Sequence, residues 1–210
     1  MAEETRQAHW NKTYAEKGAE QVSWFEDRPD TSLALIRQLR TPDSTALIDI
    51  GGGASRLVDA LLEDGWPSIT VLDVSEAALD LAKARLGTSA DRVEWIAADI
   101  TKWMPTRAFD FWHDRAAFHF LTDPDARAAY VERLRNGVKP GGHAIIATFA
   151  LDGPERCSGL PVERYDGAKL MSVVGPEFEL VDERRHLHST PWGSTQAFQY
   201  STLRRRPSPA

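Results

Sequence analysis

Residues 46–53 read ALIDIGGG, a short apolar run that contains one acid and ends in three consecutive glycines. An apolar run of this length, bounded by turn residues, predicts a buried β-strand followed by a tight turn. Glycine lets the backbone turn sharply and lets a ligand approach it closely, so the end of this strand is a candidate binding site. A helix is predicted next, over residues 54–63.

The chain then repeats this strand–helix alternation without repeating its sequence. The further predicted elements are strands at residues 69–73, 93–97, 109–112 and 143–149, and helices at residues 75–86 and 124–136. Strands that alternate with helices predict βαβ units, which build a parallel sheet with helices on both faces. The predicted fold class is therefore α/β, with a doubly wound sheet.

The two ends of the chain depart from this alternation. Residues 1–44 predict two helical pieces, and a further helix is predicted over residues 167–174. Residues 178–187 and 195–203 alternate between apolar and polar side chains, which predicts an antiparallel strand pair at the sheet edge. We expect residues 1–44 to form a helical lid that folds as one unit with the main domain, residues 45–210.

The composition excludes several classes of protein. A net charge of −6 opposes a nucleic-acid binder that is held by phosphate contacts. No apolar run approaches the roughly 20 residues of a membrane span, and the polar first residues lack the apolar core of a signal peptide. Cys157 is the sole cysteine, so no internal disulfide is expected. We expect a cytoplasmic protein that binds neither nucleic acid nor membrane; its oligomeric state stays open.

Three acidic residues stand at the ends of three successive predicted strands. Asp49 lies in the first strand, Asp73 ends the second, and Asp99 follows the third. Ligands of doubly wound sheets bind at the carboxyl ends of the strands. There Asp73 is predicted to accept the ribose hydroxyls of an adenosine, and Asp99 to accept a hydrogen bond from the adenine amine.

The residues around the glycine turn argue against a dinucleotide. The dinucleotide fingerprint keeps a small residue three positions after its second glycine, where this chain has Arg56. Asp49 is poorly placed beside a pyrophosphate but suits a ligand that carries a sulfonium and an ammonium group. No phosphate-binding loop of the GxxxxGK[ST] type is present. The electrostatics favour S-adenosylmethionine (SAM), with S-adenosylhomocysteine as its product, over NAD or ATP.

Four segments resemble, as a set, the successive motifs of the class I SAM-dependent methyltransferases. They are DIGGG at residues 49–53, VLDVS at residues 71–75, ADI at residues 98–100 and PGG at residues 140–142. The sequence departs from the family at Ser55, where a third glycine is common. The resemblance implies a Rossmann-like sheet of seven strands, mostly parallel, with the antiparallel pair at its C-terminal end.

The resemblance also implies which residues bind SAM. They are Asp49, Gly51 and Gly53 around the methionine part, Asp73 at the ribose, Val74 on the adenine, and Asp99 and Ile100 beside the base. In methyltransferases of this type an N-terminal aromatic segment covers the cofactor, which implies contacts from Tyr14 and Trp24. The alternative for these two aromatics is ordinary packing of an amphipathic helix.

By the same resemblance, the end of the fourth strand faces the transferring methyl group. His113, Asp114 and Arg115 are the candidate catalytic residues there, with His113 as a candidate general base. The alternative is an ion pair between Asp114 and Arg115 that fixes the loop. Because the leaving thioether needs no proton, we expect the protein to act mainly by positioning the acceptor.

Residues 152–161 are predicted to arch over the open side of the pocket and to bring Cys157 to the substrate side. A lone cysteine is usually a small buried residue, but Arg156 and Arg164 leave open a role in binding a soft ligand. Trp192 is predicted as an aromatic wall on the same side.

His186 and His188 alternate on one predicted strand and could pair as metal ligands. No third ligand stands near them in the sequence. We therefore expect an exposed strand face and no metal site.

The leading functional hypothesis is a methyltransferase of small molecules, because 210 residues leave little room for a separate recognition domain. The alternatives are a protein side-chain methyltransferase, an NAD-dependent oxidoreductase, and a SAM-binding protein without catalytic activity. The absence of a DPPY-type tetrapeptide opposes methylation of nucleic-acid amino groups. The acceptor, and whether it is methylated on nitrogen, oxygen, sulfur or another atom, does not follow from the sequence.

Overall fold

The computed structural model describes residues 3–207, with side-chain environments from residue 6 onward. The strands are β1 (Ala46–Ile50), β2 (Ser68–Asp73), β3 (Val93–Ala97), β4 (Phe109–Arg115), β5 (Val138–Phe149), β6 (Arg156–Cys157), β7 (Leu160–Pro161), β8 (Phe178–Ser189) and β9 (Thr195–Arg205). The helices are α1 (Glu3–Lys17), α2 (Asp30–Leu39), α3 (Leu57–Glu63), α4 (Glu76–Leu86), α5 (Pro124–Gly137) and α6 (Gly167–Val174).

Seven of these strands form one sheet in the order β3-β2-β1-β4-β5-β9-β8. β1 pairs in parallel with β2 on one side and with β4 on the other. The order of the strands reverses between these two neighbours, so a crevice opens at the carboxyl end of β1. The predicted fold class, a mostly parallel Rossmann-like sheet with an antiparallel C-terminal pair, is confirmed.

Helices cover both faces of the sheet, which explains why the central strands are apolar on both sides. All five residues of β1 are buried. Side chains of α2 and α3 pack with Phe111 and Ile145 on one face. Side chains of α5 and α6 pack with Trp112 and Ile146 on the other face. Within residues 3–207, no helix is long and apolar enough to cross a membrane.

The N-terminal helix α1 is docked at the carboxyl edge of the sheet. Asn11 accepts a hydrogen bond from the Ser75 hydroxyl (2.8 Å) and one from the Ala77 amide (3.4 Å), so α1 is held at the N-terminus of α4. Trp10 and Tyr14, one turn apart on α1, are buried by this docking. The sequence predicted the helix but not the asparagine that anchors it.

Several predicted boundaries differ from the structure, two of them at glycines with a positive φ. The helix predicted over residues 54–63 begins at Leu57, because Gly53 has a positive φ of 44° and the Ser55 hydroxyl accepts the Leu57 amide hydrogen. The strand predicted over residues 143–149 begins at Val138, so the PGG motif at residues 140–142 lies inside β5. There Gly141 has a φ of 81°, and the pairing of β4 with β5 shifts register between Phe109 and Phe111.

Candidate functional site

A cleft with about 740 Å³ of unfilled space, part of it open to solvent, lies at the carboxyl ends of the central strands. A smaller cleft of about 530 Å³ adjoins it and shares Tyr14, Trp24, Gly51 and Arg115. The predicted cofactor residues that line the larger cleft are Tyr14, Trp24, Gly51, Asp73, Val74, Asp99 and Ile100. The structure thus brings together residues that are up to 86 positions apart, from Tyr14 to Ile100.

The glycine turn after β1 forms the floor of both clefts. Gly51 has a φ of 66°, and a Cβ atom there would lie 2.6 Å from the Cβ of Ala117, so only glycine fits. A Cβ on Gly52 would lie 2.6 Å from Oδ2 of Asp49, which places that carboxylate directly beneath the turn. Gly53 lies against Asp73 and Tyr14.

Asp73 ends β2 with its carboxyl group buried beside the glycine turn. Its Oδ1 atom accepts the Ser75 amide hydrogen at 2.7 Å. Burial raises the pKa of Asp73 to about 7; the backbone hydrogen bond from Ser75 opposes this rise, and the neighbouring charge of Asp49 adds to it. A buried carboxyl at a strand end, with one oxygen toward the turn, suits the recognition of paired hydroxyls.

Asp99 follows β3 and lines the same cleft as Asp73. Its Oδ1 atom accepts hydrogen bonds from the amide (2.9 Å) and the hydroxyl (2.8 Å) of Thr101. Its Oδ2 atom accepts one from Arg6 of α1 at 2.8 Å. Sequence reasoning missed Arg6, since a single arginine in a polar helix carries no pattern that would identify it.

The aromatic residues of the N-terminal segment cover the cleft as a cluster of rings. Trp10 packs edge-on against Trp24 and Phe120, with ring centroids 5.5 and 5.0 Å apart. The Trp24 indole donates a hydrogen bond to the Tyr14 hydroxyl at 3.3 Å. Burial raises the pKa of Tyr14, so its phenol stays neutral. Trp10 and Phe120 were not among the predicted contacts, although both line the larger cleft.

His113 does not line the larger cleft; it lies in the adjoining one with both ring nitrogens engaged. Its Nδ1 atom is 2.7 Å from Oδ1 of Asp49, and its Nε2 atom is 2.9 Å from Oγ of Ser32. Because the carboxylate only accepts, Nδ1 donates to it, and in the neutral ring Nε2 accepts from Ser32. His113, the predicted general base, is therefore hydrogen-bonded to the Asp49 carboxylate beneath the glycine turn.

Asp114 points to the opposite face of β4, because successive side chains of a strand alternate. It accepts hydrogen bonds from the amides of Ala117 (3.0 Å) and Phe118 (3.1 Å) and from the hydroxyl of Tyr130 (2.7 Å). Burial raises the pKa of Asp114 to about 6. The structure contradicts both predictions for Asp114: it neither faces the cleft nor pairs with Arg115, and it anchors the loop after β4.

Arg115 connects the N-terminal segment to the sheet. Its guanidinium donates to the Trp24 carbonyl (2.8 Å) and the Tyr200 hydroxyl (3.1 Å), and it forms an ion pair with Glu26 (3.1 Å). Arg115, a candidate catalytic residue, lines both clefts. Glu26, its partner, was not identified from the sequence.

Cys157, predicted on the substrate side, is buried and lines the larger cleft. Burial raises the pKa of its thiol to about 11, which opposes the alternative of a reactive thiolate. Arg156 and Arg164 donate instead to the carbonyls of Gly159 and Gly153. The prediction for Trp192 is wrong: its side chain is 60% exposed and lines neither cleft.

The prediction of an exposed face at His186 and His188 is also wrong. His188 is only 3% exposed, because the segment that follows α1 packs on β8. Glu26 belongs to that segment and faces both rings. The third potential ligand, which does not lie near the two histidines in the sequence, is therefore Glu26 from the N-terminal part of the chain.

Comparison with known proteins agrees with this geometry. A family model described as a methyltransferase domain matches residues 47–142. The chain is 29% identical over 125 residues to a trans-aconitate 2-methyltransferase of Azoarcus sp., a match that covers 60% of this chain and 47% of that protein. It is 26% identical to a probable thiol methyltransferase 2 of Arabidopsis thaliana, over 97% of this chain and 92% of that protein.

Among solved structures, the chain resembles a 1,6-didemethyltoxoflavin-N1-methyltransferase of Burkholderia thailandensis with bound S-adenosylhomocysteine. The TM-score is 0.73 at 21% identity, and the match covers 98% of this chain and 91% of that chain. The chain spans about half the length of the Azoarcus relative and nearly all of the other two proteins.

Proposed function

Because this chain belongs to the class I SAM-dependent methyltransferases, we propose that it methylates a small-molecule acceptor at the larger cleft. SAM is the cofactor, and the sequence-based predictions of the family, the enzyme class and this cofactor are confirmed. The observation that carries the proposal is the cleft itself. It places Asp73 and Asp99 at two neighbouring strand ends beside a glycine turn and beneath an aromatic cover.

The polar groups of the cleft fit an adenosine. We assign Asp73 to the ribose hydroxyls, and Val74 and Ile100 to the faces of the adenine. Asp99 accepts from the adenine amine in this arrangement, while its bond to Arg6 persists, since an ionised carboxylate offers about four acceptor sites. Tyr14 and Trp24 close the cleft from above.

Asp49 supplies negative charge beneath the glycine turn, where the positively charged methionine part of SAM is expected. His113 holds this carboxylate at 2.7 Å and is itself held by Ser32 at 2.9 Å. We therefore propose that His113 positions Asp49 and does not accept a proton from the acceptor. We assign Gly51 and Gly53 of this turn to the border of the methionine part.

The acceptor must already have a free lone pair on the atom that is methylated, because the described residues of the cleft offer no evident general base. Among the described residues, the ionisable side chains that line the larger cleft are Arg6, Tyr14, Asp73, Asp99, Arg115 and Cys157. Arg6 and Asp99 are paired, and the raised pKa values of Tyr14 and Cys157 keep both side chains neutral. Since no imidazole reaches the cleft, an acceptor that is already a thiolate, a carboxylate or a neutral amine fits best.

Bound SAM supplies a methyl group on a sulfonium sulfur, which leaves as a neutral thioether. The protein contributes by orientation, and holding two reactants in attack geometry lowers a barrier by up to about 7–11 kcal/mol. Arg115, on the wall shared by the two clefts, carries a positive charge that Glu26 balances in part at 3.1 Å, and the remainder favours an anionic acceptor. Trans-aconitate, named for one relative, is an acceptor of this anionic type, and the thiol named for another becomes one when it ionises.

Residues 1–44 act as the lid of the domain at residues 45–210 in this proposal, which rests on the docking of α1 and on the bond between Arg115 and Trp24. The cytoplasm is the proposed location, and neither nucleic acid nor a membrane is a proposed partner. The net charge of −6 supports the exclusion of nucleic acid.

The proposal is tested first by calorimetric titration with SAM, S-adenosylhomocysteine and NAD. We expect the first two ligands to bind and NAD to show no heat of binding. Mass spectrometry then follows methyl transfer to panels of thiols, carboxylates and amines. Binding of NAD alone would contradict the assignment, and SAM that binds but transfers to no member of the three panels would favour a non-catalytic SAM-binding protein.

We expect SAM affinity to depend on pH through Asp73, whose pKa is raised by burial to about 7. The carboxylate accepts the ribose hydroxyls, and the protonated acid loses much of this capacity. Affinity should therefore be constant above pH 7 and should fall, by up to about tenfold per pH unit, below it. Titrations between pH 5.5 and 8.5 measure this, with Asp73→Asn as the matched variant. An equal pH slope in the variant would assign the dependence to another group.

A further inference from the structure

Glu26, His186 and His188, here called the Glu26 cluster, bring three potential metal ligands within 4.8 Å of one another. The two histidines lie two positions apart on β8, so both rings are on the same face of the strand. Glu26 comes from the segment between α1 and α2, which packs over that face. None of the three lines the larger cleft. Glu26 lines the adjoining cleft but is not among the residues assigned to SAM, so the cluster borders the proposed SAM site without forming part of it.

The distances within the cluster suit an ion better than direct hydrogen bonds. Oε1 of Glu26 lies 3.5 Å from Nδ1 of His188 and 3.6 Å from Nε2 of His186. Hydrogen bonds from nitrogen to oxygen are about 2.7–3.2 Å long. Two ligands bound at about 2.0–2.2 Å to one tetrahedral zinc ion lie about 3.4 Å apart.

The outer ring nitrogens are held in the way that metal-binding histidines require. Nε2 of His188 lies 2.7 Å from the carbonyl oxygen of Ser23, which can only accept, so Nε2 carries the proton. In the neutral ring the lone pair of Nδ1 then faces Glu26. Nδ1 of His186 lies 3.2 Å from the Thr31 hydroxyl, which leaves Nε2 facing the same carboxylate. Such outer contacts fix the ring and the tautomer of a ligating histidine.

Arg115 is the charged neighbour that competes for the carboxylate, with Nη2 at 3.1 Å from the same oxygen. Its guanidinium is also held by the carbonyl of Trp24 and the hydroxyl of Tyr200. Rotation of the carboxyl group would turn Oε2 to the arginine and leave Oε1 to an ion, and ligating carboxylates commonly have such an outer donor. Asp27 and Asp30 line the open depression beside the cluster, where Asp27 pairs with Arg56 and Asp30 with Arg28.

We propose that the Glu26 cluster binds one divalent transition-metal ion of the zinc type, with a fourth position open to water from the adjoining depression. Imidazole nitrogen with carboxylate oxygen is a ligand set that suits zinc. The ion joins the segment around Trp24 to β8 and so fixes the cover of the cleft. This inference is independent of the proposed methyl transfer, because it concerns metal binding by residues outside the SAM site.

The test uses the full chain without a histidine tag, stripped with a chelator, dialysed, and titrated with zinc chloride by calorimetry. We expect one zinc per chain by elemental analysis and a rise in melting temperature on binding. Glu26→Gln and His186→Asn should each lower the affinity for zinc at least about tenfold, and Thr31→Val about tenfold through the lost outer contact. His143→Ala, which removes a half-buried histidine of β5, is the matched control and should bind zinc unchanged.

Two results would overturn the proposal. One is a parent protein that takes up no zinc under these conditions. The other is zinc binding that persists with unchanged affinity in both Glu26→Gln and His186→Asn. Circular dichroism of each variant establishes that it is folded, and His186→Asn keeps the test valid if the loss of the Glu26 charge unfolds the protein.

Discussion

Asp73→Ala is expected to weaken SAM binding by about 100- to 10,000-fold. The carboxylate of Asp73 is assigned to both ribose hydroxyls, and each hydrogen bond to a charged group contributes about 1.5–3 kcal/mol. The combined loss of about 3–6 kcal/mol corresponds to this range of dissociation constants. Calorimetric titration of parent and variant with SAM measures the change directly.

The control variants separate the loss of ribose contacts from damage to the fold. Asp73→Asn keeps the shape and one acceptor oxygen, so its loss of affinity should be smaller than that of Asp73→Ala. Asp80→Ala removes an exposed acid from α4 and should leave SAM affinity unchanged. A folded Asp73→Ala variant that binds SAM like the parent would refute the assignment of the ribose to Asp73.

Asp114→Ala is expected to lower the free energy of unfolding by about 3 kcal/mol, well above the roughly 1 kcal/mol of a typical substitution. The change removes the acceptor for the amides of Ala117 and Phe118 and for the Tyr130 hydroxyl. Each buried donor left without a partner costs about 1–3 kcal/mol, and relief of the buried charge offsets part of the sum. Urea denaturation measures the loss.

Asp114→Asn is the matched variant, because its amide oxygen still accepts from the two backbone amides. We expect less than half of the destabilisation of Asp114→Ala. The side chain faces away from the cleft, so any loss of methyl transfer should follow the loss of folded protein. If Asp114→Ala were as stable as the parent but had lost methyl transfer, Asp114 would instead have a direct role in the reaction.

The fold and the cofactor side of the site could be predicted because their signals are local. Each strand is a short apolar run, and each helix follows it within a few residues. Parallel strands present their carboxyl ends at one edge of the sheet, so Asp49, Asp73 and Asp99 were predicted to lie together without knowledge of any contact. The structure places Asp73 and Asp99 on the larger cleft and Asp49 beneath the glycine turn that borders it.

One error at the candidate site could have been avoided from the sequence. His113 and Asp114 are adjacent on a strand, and the period of two requires that they face opposite sides of the sheet. They could not both have faced the transferring methyl group. The assignment of all three residues 113–115 to one surface ignored this alternation.

The sequence alone determined the α/β sheet, its glycine turn and the acids at the strand ends, because short runs of neighbouring residues specify each of these features. The tertiary structure was needed to pair Arg6 with Asp99, 93 positions away, and to bring Ser23 against His188, 165 positions away. It also showed that Glu26 completes a cluster with His186 and His188. Such pairs depend on how the N-terminal segment packs against the finished sheet, and no spacing along the chain encodes that packing.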